Sequence, residues 1–293
     1  MGVQVILSMD WEGTSLESRN LDAIKKFKAK WDAPFVHYYN PAYYTNPSLK
    51  GVSINKNVKS ILCSNDEIGL HIHTPQHFVK AAKIAPRLGP CFSQYGDYHS
   101  GEFNGQEVML LAYAKPEIKQ LLSFSQDLLG KNGFKNISSF RAGGWMSDEK
   151  VWEALIETGF SIESSGTNYH YLNGSSWEGD NLQRYISLIW GDMGIRTKPY
   201  FLETFSGSIY EVPNNLGAID YWRTQYINEH LEQIVSEHEQ DDDLLLVINS
   251  HQETFEDNDE KLDTFLEGLS DAFGPENIEF TTNREVFSKS SHC

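Results

Sequence analysis

At 293 residues, with 40% hydrophobic and 13% aromatic side chains, the chain has enough apolar material for a large core, which excludes disorder throughout. Its 24 Lys and Arg against 41 Asp and Glu give a net charge of −17, so nucleic acid and anionic membrane surfaces are poor partners. No window reaches the roughly 20 apolar residues of a membrane span; Met1–Leu7 is too short for a signal peptide, and Cys63, Cys91 and Cys293 show neither close pairing nor zinc-ribbon spacing, so a cytoplasmic location is expected.

Short apolar runs alternate with stretches of helical periodicity, the pattern of repeated strand–helix units around a parallel sheet. Val3–Met9 reads as a strand and Leu21–Trp31 as a helix; Pro34–Tyr39 is a second strand, and Val58–Cys63 belongs to the next helix. Glu67–His73 is a third strand ending in histidines, and Cys91–Gln106, rich in Gly, Ser and aromatics, reads as a long loop. Val108–Leu129 has helical spacing, with a break or a new start at Lys115-Pro116. Ile137–Arg141 is a strand, Asp148–Thr158 a helix with Ser147 as N-cap, and Phe160–Ser164 a strand. Between Asn168 and Phe205 the expectation is loops, with short strands near Tyr185–Trp190 and Thr204. Ser208–Val212 is a strand, Tyr221–Glu239 a long helix, Asp241–Asp243 an acidic turn, Leu244–Asn249 the strongest strand, Lys261–Phe273 a helix and Ile278–Thr281 a strand. About seven strands, with no linker and no internal repeat, predict an α/β chain forming one barrel over residues 1–293.

In parallel α/β folds the site lies at the C-terminal ends of the strands. Asp10 and Glu12 follow the first strand, and alternation along a strand projects them together, one suited to act as a base and the other as a hard oxygen ligand. His71, His73 and His77 fall within seven residues; His71 and His73 share a strand face, and His73 and His77 have the four-residue gap of many metal pairs. Arg141 stands at a strand end before Gly143, Gly144 and Trp145, placed to hold Asp10 in position. His251 follows the late strand and can protonate a leaving amine. Aromatic side chains crowd the loops, among them Tyr38, Tyr39, Tyr43, Tyr44, Tyr95, Tyr98, Tyr169, Tyr171 and Trp177, and flat rings of this kind stack on pyranoses. His37, His99 and His170 read as surface residues or as support for the site.

This ordered set of motifs resembles the NodB-type polysaccharide deacetylases, carbohydrate esterases, in the branch without secretion signals. The resemblance covers nearly the whole chain. Asp10-Trp11-Glu12 is similar to the family's first motif, an Asp base followed by a metal-binding carboxylate; Glu67–His71 matches the second, Phe140–Trp145 the Arg-containing third, and Ile248–His251 the late one. The usual second histidine would stand at position 75, which is Pro75, so His73 or His77 replaces it; Glu163 is the nearest candidate for the Asp of the fourth motif.

The resemblance implies a distorted (β/α)7 barrel and zinc-type hydrolysis of an acetamido group on an N-acetylated saccharide. A divalent metal, zinc by expectation, would be held by His71, by His73 or His77, and by Glu12 or Asp10, lowering the pKa of bound water to about 7. Asp10, steadied by Arg141, would be the base and His251 the acid, with Trp11, Trp145 and Tyr39 against the sugar. Alternatives are a metal-dependent amidohydrolase on a small non-sugar amide and a catalytically inactive carbohydrate-binding barrel. A glycosidase using Asp10 and Glu12 is disfavoured, because two carboxylates on one strand are poorly placed to flank a glycosidic bond.

Overall fold

The computed structural model describes residues 2–93, 103–172, 179–239 and 244–290, with backbone alone at 179–181. Tyr95, Tyr98, His99, Trp177, the acidic turn at 241–243 and Cys293 lie outside the described residues.

The elements run β1 (Val3–Trp11), α1 (Ser18–Trp31), β2 (Phe35–Tyr39), α2 (Ile54–Lys59), β3 (Glu67–Ile72), α3 (Gln76–Ala81), α4 (Lys115–Lys131), β4 (Ser139–Ala142), α5 (Glu149–Glu157) and β5 (Ile162–Glu163). They continue with α6 (Gly179–Trp190), β6 (Tyr200–Thr204), β7 (Gly207–Glu211), α7 (Ile227–His238), β8 (Leu245–His251), α8 (Phe255–Phe273), β9 (Ile278–Phe280) and α9 (Asn283–Ser290). This is a mixed α/β fold on one sheet of nine strands in the order β6-β7-β5-β4-β3-β2-β1-β8, with β9 beside the N-terminal end of β1. Eight strands, β1 to β5 with β7, β8 and β9, pair in parallel; β6 is added antiparallel to β7.

The chain leaving β7 turns toward β8. Leu216 N donates to Val247 O at 3.0 Å and Asn249 N to Gly217 O at 2.9 Å. The Asn215 side chain adds two more rungs, donating to Leu245 O at 2.7 Å and accepting from Val247 N at 2.8 Å. These bonds bridge the gap between β7 and β8 without a continuous ladder.

Alternation along β1 separates two layers. Val3, Val5, Leu7, Met9 and Trp11 pack outward in one apolar cluster with Ile24 and Phe27 of α1 and Phe265 and Leu266 of α8. Ile6 faces the opposite side with Val36, Tyr38, Ile162 and Val247. Further along that inner face stand Ser8 and Asp10, so the enclosed side of the sheet is apolar toward its base and polar toward its C-terminal rim. Both faces of β1 are buried, as a parallel sheet covered by helices requires. No helix of the described residues is long and apolar enough to cross a membrane.

Several expected elements change. Tyr185–Trp190 is not a strand but the end of α6, whose apolar Leu182, Ile186 and Trp190 recur four apart and are buried in one cluster. The N-cap of α5 is Asp148, which accepts from Val151 N, because the Ser147 hydroxyl is engaged by Glu163. α7 starts at Ile227 after two short 3-10 turns, α8 starts earlier, at Phe255, and α9 was not foreseen. A new helix does start at Lys115-Pro116, with Glu117 accepting from Ala114 N at 2.8 Å.

Candidate active site

At the C-terminal rim lies a cavity of about 420 Å³, lined by Asp10, Glu12, His71, His73, Trp145 and His251 among others. Parallel register gathers them: Asp10 and His251 are partners across β1 and β8, and His71 and Arg141 are partners across β3 and β4.

Glu12, His71 and His73 form the one set of metal-type donors found among the described residues, with ligand atoms all within 4.8 Å of one another. Glu12 Oε2 is 2.6 Å from His73 Nε2, and Glu12 Oε1 is 3.5 Å from His71 Nε2. Each imidazole donates from Nδ1 to a main-chain carbonyl, His71 to Arg141 O at 2.9 Å and His73 to Gln106 O at 3.0 Å. Those bonds orient each ring with Nε2 toward Glu12, the atom that ligates a cation once it carries no proton. His71 Nε2 is buried without a hydrogen-bond partner, an atom that a cation would satisfy. Gln106 also donates from Nε2 to Glu12 Oε2 at 3.1 Å, so a single loop residue holds the carboxylate by its side chain and His73 by its carbonyl.

Burial opposes ionisation of Glu12, but His73 and His71 outweigh it and hold the carboxyl well below its usual range. Burial likewise disfavours the His73 imidazolium, and Glu12 reverses this, pushing His73 up to about 9. In the absence of a cation the site is therefore a Glu–His ion pair, and metal binding must displace the His73 proton.

Two glycines permit the close approach. A Cβ on Gly143 would meet the His73 ring at 2.7 Å, and Gly144, at φ +61°, would place one 2.8 Å from the ring of Phe92.

Arg141 is fully buried. Its Nη1 reaches Asp10 Oδ1 at 3.0 Å, Ser8 Oγ at 2.9 Å and Asn249 Oδ1 at 2.8 Å; its Nε donates to Ser164 O, and its guanidinium lies over the Tyr38 ring at 4.2 Å. Asn249 Nδ2 donates to the second Asp10 oxygen at 2.9 Å. Both carboxylate oxygens are thus fixed from beneath, leaving Asp10 oriented at the cavity.

Beside Asp10 on the next strand, His251 Nδ1 is 3.1 Å from Asp220 Oδ2, and its Nε2 is 3.8 Å from Glu12 Oε1. Burial opposes the charged imidazole, but Asp220 first, then Glu12 and Asp10, push His251 up to about 10.

The structure does not bring every candidate together. His77 lies on α3, outside the cavity lining, with Nδ1 2.9 Å from Thr45 Oγ1. The chain turns into that helix at Pro75, so it is His73 that sits beside Glu12. Trp11 is not on the cavity: alternation turns it to the helix side, where it is fully buried against Tyr39 and Tyr43 and donates to His37 Nδ1 at 3.2 Å. Its register partner Tyr39 is buried beside it, so neither ring meets the cavity. Trp145 does line it, edge-on to His251 at 6.3 Å. Its φ of +60° is rare for a bulky residue and typical of functional turns. Glu163 is fully buried in a seryl cage of Ser147 and Ser165, away from the cavity lining.

Asp220, Asn249, Gln106, Glu107 and Glu253 were not singled out from sequence, although Asn249 shares a strand face with His251 two residues on, a readable signal. Asp220 sits in a three-residue 3-10 turn after β7, and Gln106 at the end of a loop, where no periodicity marks either.

Neither a protein-family model nor a curated protein matches this sequence. Solved structures do. A proposed polysaccharide deacetylase from Mycobacterium smegmatis superposes with a TM-score of 0.62 at 10% identity, covering 99% of this chain and 91% of that one. PuuE allantoinase gives 0.56 at 10% identity, over 97% and 88%. A 4-alpha-glucanotransferase from Thermococcus litoralis gives 0.57 at 12% identity, over 98% of this chain but 40% of that one. At such identities the likeness is one of architecture: the chain has the distorted (β/α) fold that it shares with the polysaccharide-deacetylase-type structures.

Proposed function

We propose that this chain is a metal-dependent hydrolase that removes the acetyl group from an N-acetylated sugar. The observation that supports this most is the triad of Glu12, His71 and His73, with each imidazole held through Nδ1 and a buried, unpartnered Nε2 on His71, set between a clamped carboxylate and a carboxylate-backed histidine. These donors fit a divalent cation of the zinc type. When bound, such an ion supplies Lewis acidity, polarising an acyl carbonyl and acidifying water.

The chain's own residues do the proton work. Asp10, with both oxygens located by Arg141 and Asn249, takes the proton from the attacking water. His251, held through Nδ1 by Asp220, gives its Nε2 proton to the departing amine, leaving acetate and a free amino sugar. Phe92, Trp145 and Tyr221 provide flat faces for the pyranose while narrowing access to water. The whole chain, 1–293, acts as one barrel domain in this reading.

A small non-sugar amide would suit the same groups, and the shared fold with an allantoinase keeps that reading in view. Acetate release from N-acetylhexosamine saccharides, measured beside hydrolysis of simple amides and ureides on zinc-loaded protein, decides. Turnover confined to the amides or ureides, or no turnover at all, overturns the sugar reading.

A further inference from the structure

The carboxylate behind His251 is not carried by a strand. Asp220 stands in the 3-10 turn Ile219–Tyr221, three residues past the main-chain rung between Gly217 and Asn249, so no ladder sets its position. The bonds that do set it come from α8. Thr254, the N-cap of that helix, is followed at four and three residues by Asn258 and Lys261, the spacing of side chains on one helix face, and all three reach this turn. Thr254 Oγ1 and Asn258 Nδ2 donate to Asp220 Oδ1, the second at 3.2 Å, while Asp220 Oδ2 stands 3.1 Å from His251 Nδ1.

Lys261 acts on the main chain instead. Its Nζ donates to the carbonyls of Ile219 at 3.1 Å, Asp220 at 3.4 Å and Trp222 at 3.1 Å, so the three protons of one ammonium go to one turn and its cap. The carboxylate four residues earlier on α8, Asp257, is taken by Arg19. Thr254 and Asn258 line the cavity and Lys261 does not. Burial draws its ammonium below the ordinary value, and the charge of Asp220 acts against that pull.

We infer that Lys261 is a positioning residue for the proton-donating pair: by gathering the carbonyls of the turn it sets Asp220 against His251, and so aims the imidazole at the departing amine. It touches neither the candidate metal ligands nor the cavity. A displacement of about 1 Å in a reacting group can cost about 100-fold in rate, which is how a residue outside the cavity governs turnover. The kinetic consequence rests on the deacetylase reading; the placement of Asp220 does not.

The test uses zinc-loaded protein carrying Lys261→Met, with Lys261→Gln as the second variant should the first fail to fold in chemical denaturation. On N-acetylglucosamine oligomers kcat should fall at least about fivefold, while KM and zinc affinity stay within about twofold. In protein already carrying Asp220→Asn the same change should cost less than about twofold, because a residue that works through Asp220 then has nothing left to place. With nitrogen-15 in the histidines, the His251 ring resonances, identified by their loss in His251→Gln, should move in Lys261→Met in the direction in which Asp220→Asn moves them. A general loosening of the fold would not follow Asp220 in this way. Losses that multiply in the double variant, a loss confined to KM, an unchanged kcat, or His251 resonances that stay in their native positions overturn the inference. If the native protein releases no acetate while the resonances move as stated, the deacetylase reading falls and the placement of Asp220 by Lys261 stands.

Discussion

His71 and Arg141 are neighbours across β3 and β4, and the His71 ring donates to the Arg141 carbonyl at 2.9 Å while the Arg141 side chain reaches Asp10 at 3.0 Å. One residue therefore orients a candidate metal ligand with its main chain and the candidate base with its guanidinium. The two halves of the site are held by a single strand end, and disturbance of β4 is felt in both.

Removing a ligand should remove the metal. His71→Ala should lower zinc affinity at least about 100-fold, read by competition with a chromogenic chelator. Chelation of the native protein should abolish acetate release, and added zinc should restore it. Zinc affinity unchanged in the variant would dismiss the triad.

Asp10→Asn keeps the shape but loses the base. Turnover should fall by about 10²–10⁴ with zinc affinity preserved. Arg141→Met should instead cost stability, about 3–5 kcal/mol in chemical denaturation, because it strands a buried carboxylate.

Asp220→Asn tests the acid. Asp220 raises His251, so its loss lowers the imidazole pKa, and the alkaline limb of the turnover profile should move to lower pH. Turnover at the optimum should fall about 10–100-fold. A profile that does not move argues against His251 as proton donor.

Gly143→Ala would drive a methyl group to 2.7 Å from the His73 ring. Zinc affinity should drop about tenfold or more, while the fold persists by circular dichroism.

Glu163 and Glu211, both fully buried, set the stability profile. Burial first, and for Glu211 also the charge of Glu163, raises both, Glu163 to about 7 and Glu211 well above the ordinary value. The folded state then keeps protons that the unfolded chain releases above about 4.5. Stability must therefore fall as pH rises from about 4.5 through 7. Glu211→Gln should flatten that slope and stabilise the protein at pH 8 by about 1–2 kcal/mol, measured by denaturant titration across pH.

Much of the site was readable because strands impose a period of two. Asp10 with Glu12, and His71 with His73, project together for that reason, and the structure gathers all four at one cavity. The same rule, applied to Trp11, would have turned it away from the cavity. His77 misled because a four-residue gap describes a pair on a continuous helix, whereas Pro75 separates a strand from a helix at that point. α6 was missed although its four-residue spacing is plain, because its Tyr, Trp and flanking Gly content outweighed the period. Asp220 lies in a short 3-10 turn and Gln106 in a loop, where position is set by tertiary contacts that no local pattern encodes.

At the join between β7 and β8, two of the four rungs come from one amide side chain, that of Asn215. The tightness of this join is therefore open to change by a single substitution, without loss of any strand. Asp220 stands five residues further along the same stretch, so loosening there would be transmitted to the tilt of His251 before the core noticed it. One amide side chain thus supplies half of the join that lies five residues before the carboxylate backing His251.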